Sequence, residues 1–145
     1  MPFATQYNVM VPLQAKNWDE FDTILKTALD YDVSSVALPK LLGETLGMYG
    51  RLIGAEKIRN ISDVPIHALG CTDHLVEAKY LANQGIVRGI DSAAPIVHAL
   101  EGYLITDPAV KRPDNYFFIK EYSSLVEVNI DDFRAWCEKT STSQV

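Results

Sequence analysis

Along the first hundred residues, four short apolar runs are each followed by polar or glycine residues and then by a helical pattern. Tyr7-Asn8-Val9-Met10-Val11-Pro12-Leu13 reads as a first strand, apolar enough to be buried on both faces. Asn17 then offers a helix cap, with Glu20 three residues on in a capping-box arrangement. Trp18, Phe21, Ile24, Leu25, Ala28 and Leu29 follow at helical spacing, with charged residues on the rest of the wheel.

Val33 to Leu38 is the second expected strand, stopped by Pro39. Three glycines within residues 41–50 argue for a loop, and a helix is expected over Arg51 to Arg59. The third strand is Val64 to Leu69, ending at Gly70. Thr72 caps the helix expected after it, and Gly85 is its natural stop. Ile86 to Ile90 is the fourth strand. Beyond Gly102 the chain turns polar, with an apolar patch at Tyr116 to Ile119 and a last helix expected near Asp131 to Glu138.

Short strands alternating with helices in this way predict parallel βα units. The expected fold is α/β: four parallel βα units over residues 7–103, forming half of a TIM-type (β/α)8 barrel, with a C-terminal helical extension over 104–145. The whole is read as one domain. A flavodoxin-like open sheet is the alternative for the same pattern.

Composition narrows the function classes. The 145 residues carry a net charge of −6 with no basic run, which argues against an autonomous nucleic-acid binder. Cys71 and Cys137 form no CxxC pair, so neither a disulfide framework nor a four-cysteine zinc site is expected. The first residues have no signal-peptide pattern, and no apolar stretch approaches the roughly 20 residues of a membrane span. A cytoplasmic protein without membrane association is expected.

In parallel α/β folds, ligands sit at the carboxyl ends of the strands. The polar residues just past the four runs are Gln14, then Pro39 and Lys40, then Gly70, Cys71 and Thr72, and finally Asp91 and Ser92. If the strands are parallel neighbours, an amide, a flexible turn and a carboxylate share one rim. Asp91 is the leading candidate for chemistry; the alternative is that it caps the following helix. His67, His74 and His98 show no metal spacing and are read as satisfied core or surface histidines. Gly43, Gly47, Gly50 and Gly54 lack the GxGxxG order and are read as a flexible loop. Trp18 and Trp136 are read as anchors of their helices.

Three segments look familiar in their order and spacing. Val11-Pro12-Leu13-Gln14 with Trp18-Asp19-Glu20-Phe21, Pro65-Ile66-His67-Ala68-Leu69-Gly70, and Ile90-Asp91-Ser92-Ala93-Ala94-Pro95 resemble segments of the tRNA-guanine transglycosylases. The likeness is closest to the branch, encoded by phages and bacterial islands, that places 7-deazaguanine bases into DNA. It covers most of residues 7–103, and Asn115-Tyr116-Phe117 extends it.

This resemblance implies exchange of a guanine-type base for a 7-deazaguanine in DNA or RNA. It makes Asp91 the nucleophile of a covalent glycosyl intermediate. It has Gln14 hydrogen-bond the purine or 7-deazapurine base, and it places the turn around Leu38, Pro39 and Lys40, with Gly70 and Ser92, at the same site. No cofactor is implied. The family's zinc site cannot form with Cys137 as the single later cysteine, and no counterpart of the family's first barrel half stands before Met1. The expectation is therefore a homo-oligomer or a complementing half-barrel subunit. The alternative is a non-catalytic half-barrel that serves as a binding or assembly module.

Overall fold

The computed structural model describes residues 8–70, 75–108 and 121–141. In chain order the elements are β1 (Met10–Pro12), α1 (Trp18–Asp30), β2 (Ser35–Leu38), α2 (Leu41–Thr45) and α3 (Gly50–Arg59). They continue with β3 (Ile66–Ala68), α4 (Leu75–Asn83), β4 (Gly89–Ile90), α5 (Ala94–Leu100) and α6 (Leu125–Ser141). The four strands form one sheet in the order β1-β2-β3-β4, and every neighbouring pair is parallel. A flavodoxin-like sheet would place its first strand between the second and third. The sequential order excludes that alternative.

The chain divides into two compact units. The first holds residues 1–70 and 84–91, with the whole sheet, α1, α2 and α3; the second holds 71–83 and 92–145, with α4, α5 and α6.

In the first unit, strand alternation sorts side chains onto two faces. Val11, Val36 and Ile66 are paired in register, as are Leu38, Ala68 and Ile90 one step further on. Val36, Leu38 and Ile66 join Phe21, Leu25 and Ala28 of α1 and Ala55 and Ile58 of α3 in the core. The opposite face carries Met10, Pro12, Ser35, Ala37, His67 and Gly89. Ala37 is buried there, whereas Pro12 is exposed and Met10 is 45% exposed.

The cap expected for α1 forms: Asn17 Oδ1 accepts the Glu20 N–H at 2.8 Å. Glu20 reaches one residue further back than in the usual box, its carboxylate accepting from Lys16 N–H at 2.7 Å. The loop expected over 41–50 needs correction, because Leu41–Thr45 is helical. Thr45 anchors it by donating its hydroxyl to Ala15 O at 2.8 Å. Gly50 and Gly54 are packing positions rather than loop residues. A Cβ on Gly54 would stand 3.2 Å from both Leu38 Cδ2 and Phe21 Cζ, so its absence lets α3 lie close to the sheet and α1. At the amino edge of the sheet, Arg59 donates to Ser62 O, Val64 O and Ile86 O at 2.8–3.1 Å, tying the entries of β3 and β4 together.

In the second unit, α4 and α5 both pack on α6. Leu81, Ala94, Val97, Ala99 and Ile105 are buried there. Asn129 of α6 is buried among them and binds three backbone groups. Its Nδ2 donates to Pro95 O and Tyr103 O at 3.1 and 3.0 Å, and its Oδ1 accepts from Ile105 N–H at 2.9 Å. The last helix begins at Leu125 and runs to Ser141, longer than expected. The apolar patch at 116–119, Thr72 and His74 lie outside the described residues. Among the described residues, no helix is long and apolar enough to cross a membrane.

Candidate functional site

The parallel sheet puts all four strand ends on one edge. There Leu13 N–H donates to Ala37 O at 2.8 Å, Leu69 N–H to Leu38 O at 3.0 Å, and Asp91 N–H to Ala68 O at 3.1 Å. Gln14, Pro39, Gly70 and Asp91 follow directly, so the polar residues past the strands do share a rim.

Asp91 is exposed at that rim, and its Oδ1 accepts the backbone N–H of Gly70. This contact answers the capping alternative. Helix α5 has Ala93 at its N-cap with no side-chain hydrogen bond there, and its Ala94 N–H donates to Ser92 Oγ at 3.1 Å. A carboxylate following a strand and preceding a helix ordinarily takes that N-terminal position. Asp91 instead spans to the neighbouring turn.

Gly70, whose N–H makes the contact, has a left-handed backbone, φ +67°, a conformation that favours glycine at this turn. A Cβ on Gly70 would have Lys40 Cβ as its neighbour at 3.6 Å, so the turns after β2 and β3 are adjacent. Lys40 and Pro39 are half-buried. Leu38 is fully buried in the core and its carbonyl belongs to the strand ladder, so it offers the edge no side chain. Gln14 is exposed. It follows β1 while Asp91 follows β4, three strand spacings away, or roughly 14 Å along the sheet. Ser92 falls in the second unit, where its hydroxyl serves the start of α5.

Near this edge one residue escapes a reading of the sequence, and a second takes a place its letters do not specify. Arg51, in the first turn of α3, is only 3% exposed and donates from Nη1 to Leu69 O at 2.7 Å. His67 stands on the face opposite the core, its ring over Gly89, where a Cβ would approach Nδ1 to 2.5 Å. Neither announces itself in the letters: one looks like a helix-surface charge, the other like a polar interruption of a strand.

His98 requires a partial correction. It is buried, with Nδ1 at 2.9 Å from Ala94 O, but Nε2 has no partner among the described residues. Trp18 and Trp136 are both half-buried. Trp18 meets Phe21 edge-on at 5.3 Å between ring centroids, and each indole has a lysine over it, Lys57 and Lys79 respectively. Among the described residues, no group of three His, Cys, Asp or Glu side chains could hold a metal ion. Searches with this chain against protein-family models, curated proteins and solved structures return no match.

Proposed function

We propose that this chain is the nucleophile-bearing half of a base-exchanging transglycosylase, a pentosyltransferase acting on a nucleic acid. The observation that supports it most is the Asp91 carboxylate, exposed at the carboxyl edge and held by Gly70 N–H rather than spent on capping a helix. The sequential parallel strand order is that of a (β/α)8 barrel segment, where residues in this position carry chemistry.

In this reading the second carboxylate oxygen of Asp91 attacks C1′ of a guanosine unit. The C1′–N9 bond breaks, its electron pair leaves with the guanine, and that base takes up a proton. The sugar is left as an ester of Asp91. An incoming 7-deazaguanine then attacks C1′ through its ring nitrogen, loses the proton from that nitrogen, and releases the carboxylate. The two protons balance, and two inversions retain configuration. Gln14 hydrogen-bonds the base.

Completion by a second copy or a separately encoded half belongs to the same proposal. Among the described residues, four strands leave outer edges on β1 and β4, and Met10 and Pro12 of β1 are exposed. Natural sheets seldom leave such edges open. The separation of Gln14 from Asp91 on the two outer strands also favours a second reading, a binding or assembly module that performs no chemistry by itself.

One experiment separates the readings. The chain, alone and with co-expressed neighbours, is sized by native mass spectrometry and then incubated with labelled guanine and either tRNA or duplex DNA. Label incorporation and a glycosyl adduct on the peptide containing Asp91 are expected for the assembled protein. A folded assembly that forms no adduct with either polymer would leave the non-catalytic module.

A further inference from the structure

Arg51 and Asp91 are linked by a single peptide group. Arg51 Nη1 donates to the carbonyl of Leu69, and the N–H at the other end of that same peptide, which belongs to Gly70, donates to Asp91 Oδ1. A trans peptide holds its C=O and N–H antiparallel in one plane. The guanidinium therefore faces the negative end of the peptide dipole and the carboxylate faces the positive end. Hydrogen bonds in such a chain polarise one another, so a cation on the oxygen strengthens the N–H as a donor.

Two features mark the placement of Arg51. It is a buried charge, and it lies in the first turn of a helix, where the helix dipole disfavours cations. That turn starts at the carboxyl edge of the sheet, level with the turn after β3. Gly70 at φ +67° gives the Leu69–Gly70 peptide an orientation that side-chain-bearing residues rarely adopt. Leu69 N–H, bonded to Leu38 O, holds the peptide on its upstream flank as well.

We propose that Arg51 is a positioning residue for Asp91, acting through the Leu69–Gly70 peptide. It orients the carboxylate with Oδ1 engaged and Oδ2 directed to the reacting sugar. The functional part of this inference rests on the transglycosylase reading; the structural part does not.

The test uses the full chain, labelled with 15N, in its wild-type, Asp91→Asn, Arg51→Met and Arg51→Lys forms. The Gly70 amide proton, a donor to a carboxylate, is expected downfield in the wild type and should move upfield in Asp91→Asn and Arg51→Met, and less far in Arg51→Lys. Adduct formation is expected to slow roughly tenfold in Arg51→Met, recover largely in Arg51→Lys, and leave the affinity for free base unchanged. If Arg51→Met does not fold, the amide shift of Arg51→Lys decides. A Gly70 amide that responds to Asp91→Asn but to neither Arg51 variant would overturn the proposal, as would a wild-type adduct rate in folded Arg51→Met. An amide that responds as expected in a protein that never forms an adduct would leave the link standing and remove the transglycosylase reading.

Discussion

The imidazole of His67 occupies the space that a side chain at Gly89 would fill. The two residues are register partners on β3 and β4, and the nearest ring atom is Nδ1. Gly89→Ala should force the ring away and cost about 1–3 kcal/mol. Pairing it with His67→Ala should restore most of the loss, and a urea-denaturation double-mutant cycle measures the coupling. Additive losses would show that the ring gives way freely.

Asp91→Asn should abolish adduct formation while leaving thermal stability nearly unchanged. The carboxamide keeps an oxygen acceptor for Gly70 N–H, and the site is exposed, so the expected cost is about 1 kcal/mol or less. A variant that retains activity, or one that merely unfolds, would contradict the assigned role. Calorimetry beside the exchange assay distinguishes these outcomes.

Asn129 satisfies three backbone groups from the second turn of α6, and no apolar side chain can do so. Asn129→Leu should therefore destabilise the protein by about 3 kcal/mol or more, the scale of stranding buried polar groups. Chemical denaturation monitored by Trp136 fluorescence would follow the loss near α6.

His98 poses the reverse case, a buried ring nitrogen with no partner among the described residues. Replacing it with leucine removes that penalty along with a hydrogen bond to Ala94 O, a carbonyl in its own helix. His98→Leu should be neutral or stabilising by up to about 1 kcal/mol. A clear loss in the denaturation midpoint would mean that a water molecule serves Nε2 in solution.

Local signals carried much of the fold. The four apolar runs became four strands, each shorter than its run, because ladder pairing ends where the turns to and from the helices begin. Asn17 and Glu20 marked the start of α1 correctly, and Gly85, at φ +64°, follows α4 as its C-terminal stop. Where glycine was read by habit, the reading failed. Gly43 lies inside α2, where nothing lies within 4 Å of where its Cβ would be, and Gly54 is there for what packs against it. The start of α6 was hidden by Val126 and Val128, branched residues that read as extended chain, and by Asn129, whose role is visible only once Pro95, Tyr103 and Ile105 surround it.

The rim was legible for a topological reason. Parallel strands must end on one side, so residues after each run meet there whatever their identity. Which of them touch was not legible. Asp91 could equally have capped α5, and the Gly70 N–H that it accepts becomes its neighbour only once β3 and β4 pair and their turns lie side by side. Arg51 was out of view altogether, because its partner lies 18 residues away across a strand.

Arg59 fastens the entries of β3 and β4 at the end of the sheet remote from Asp91, with one guanidinium on three carbonyls. Mechanical integrity and exposed polar chemistry are thereby assigned to opposite poles of the sheet. Substitutions confined to the exposed Asp91 side chain consequently leave that fastening in place.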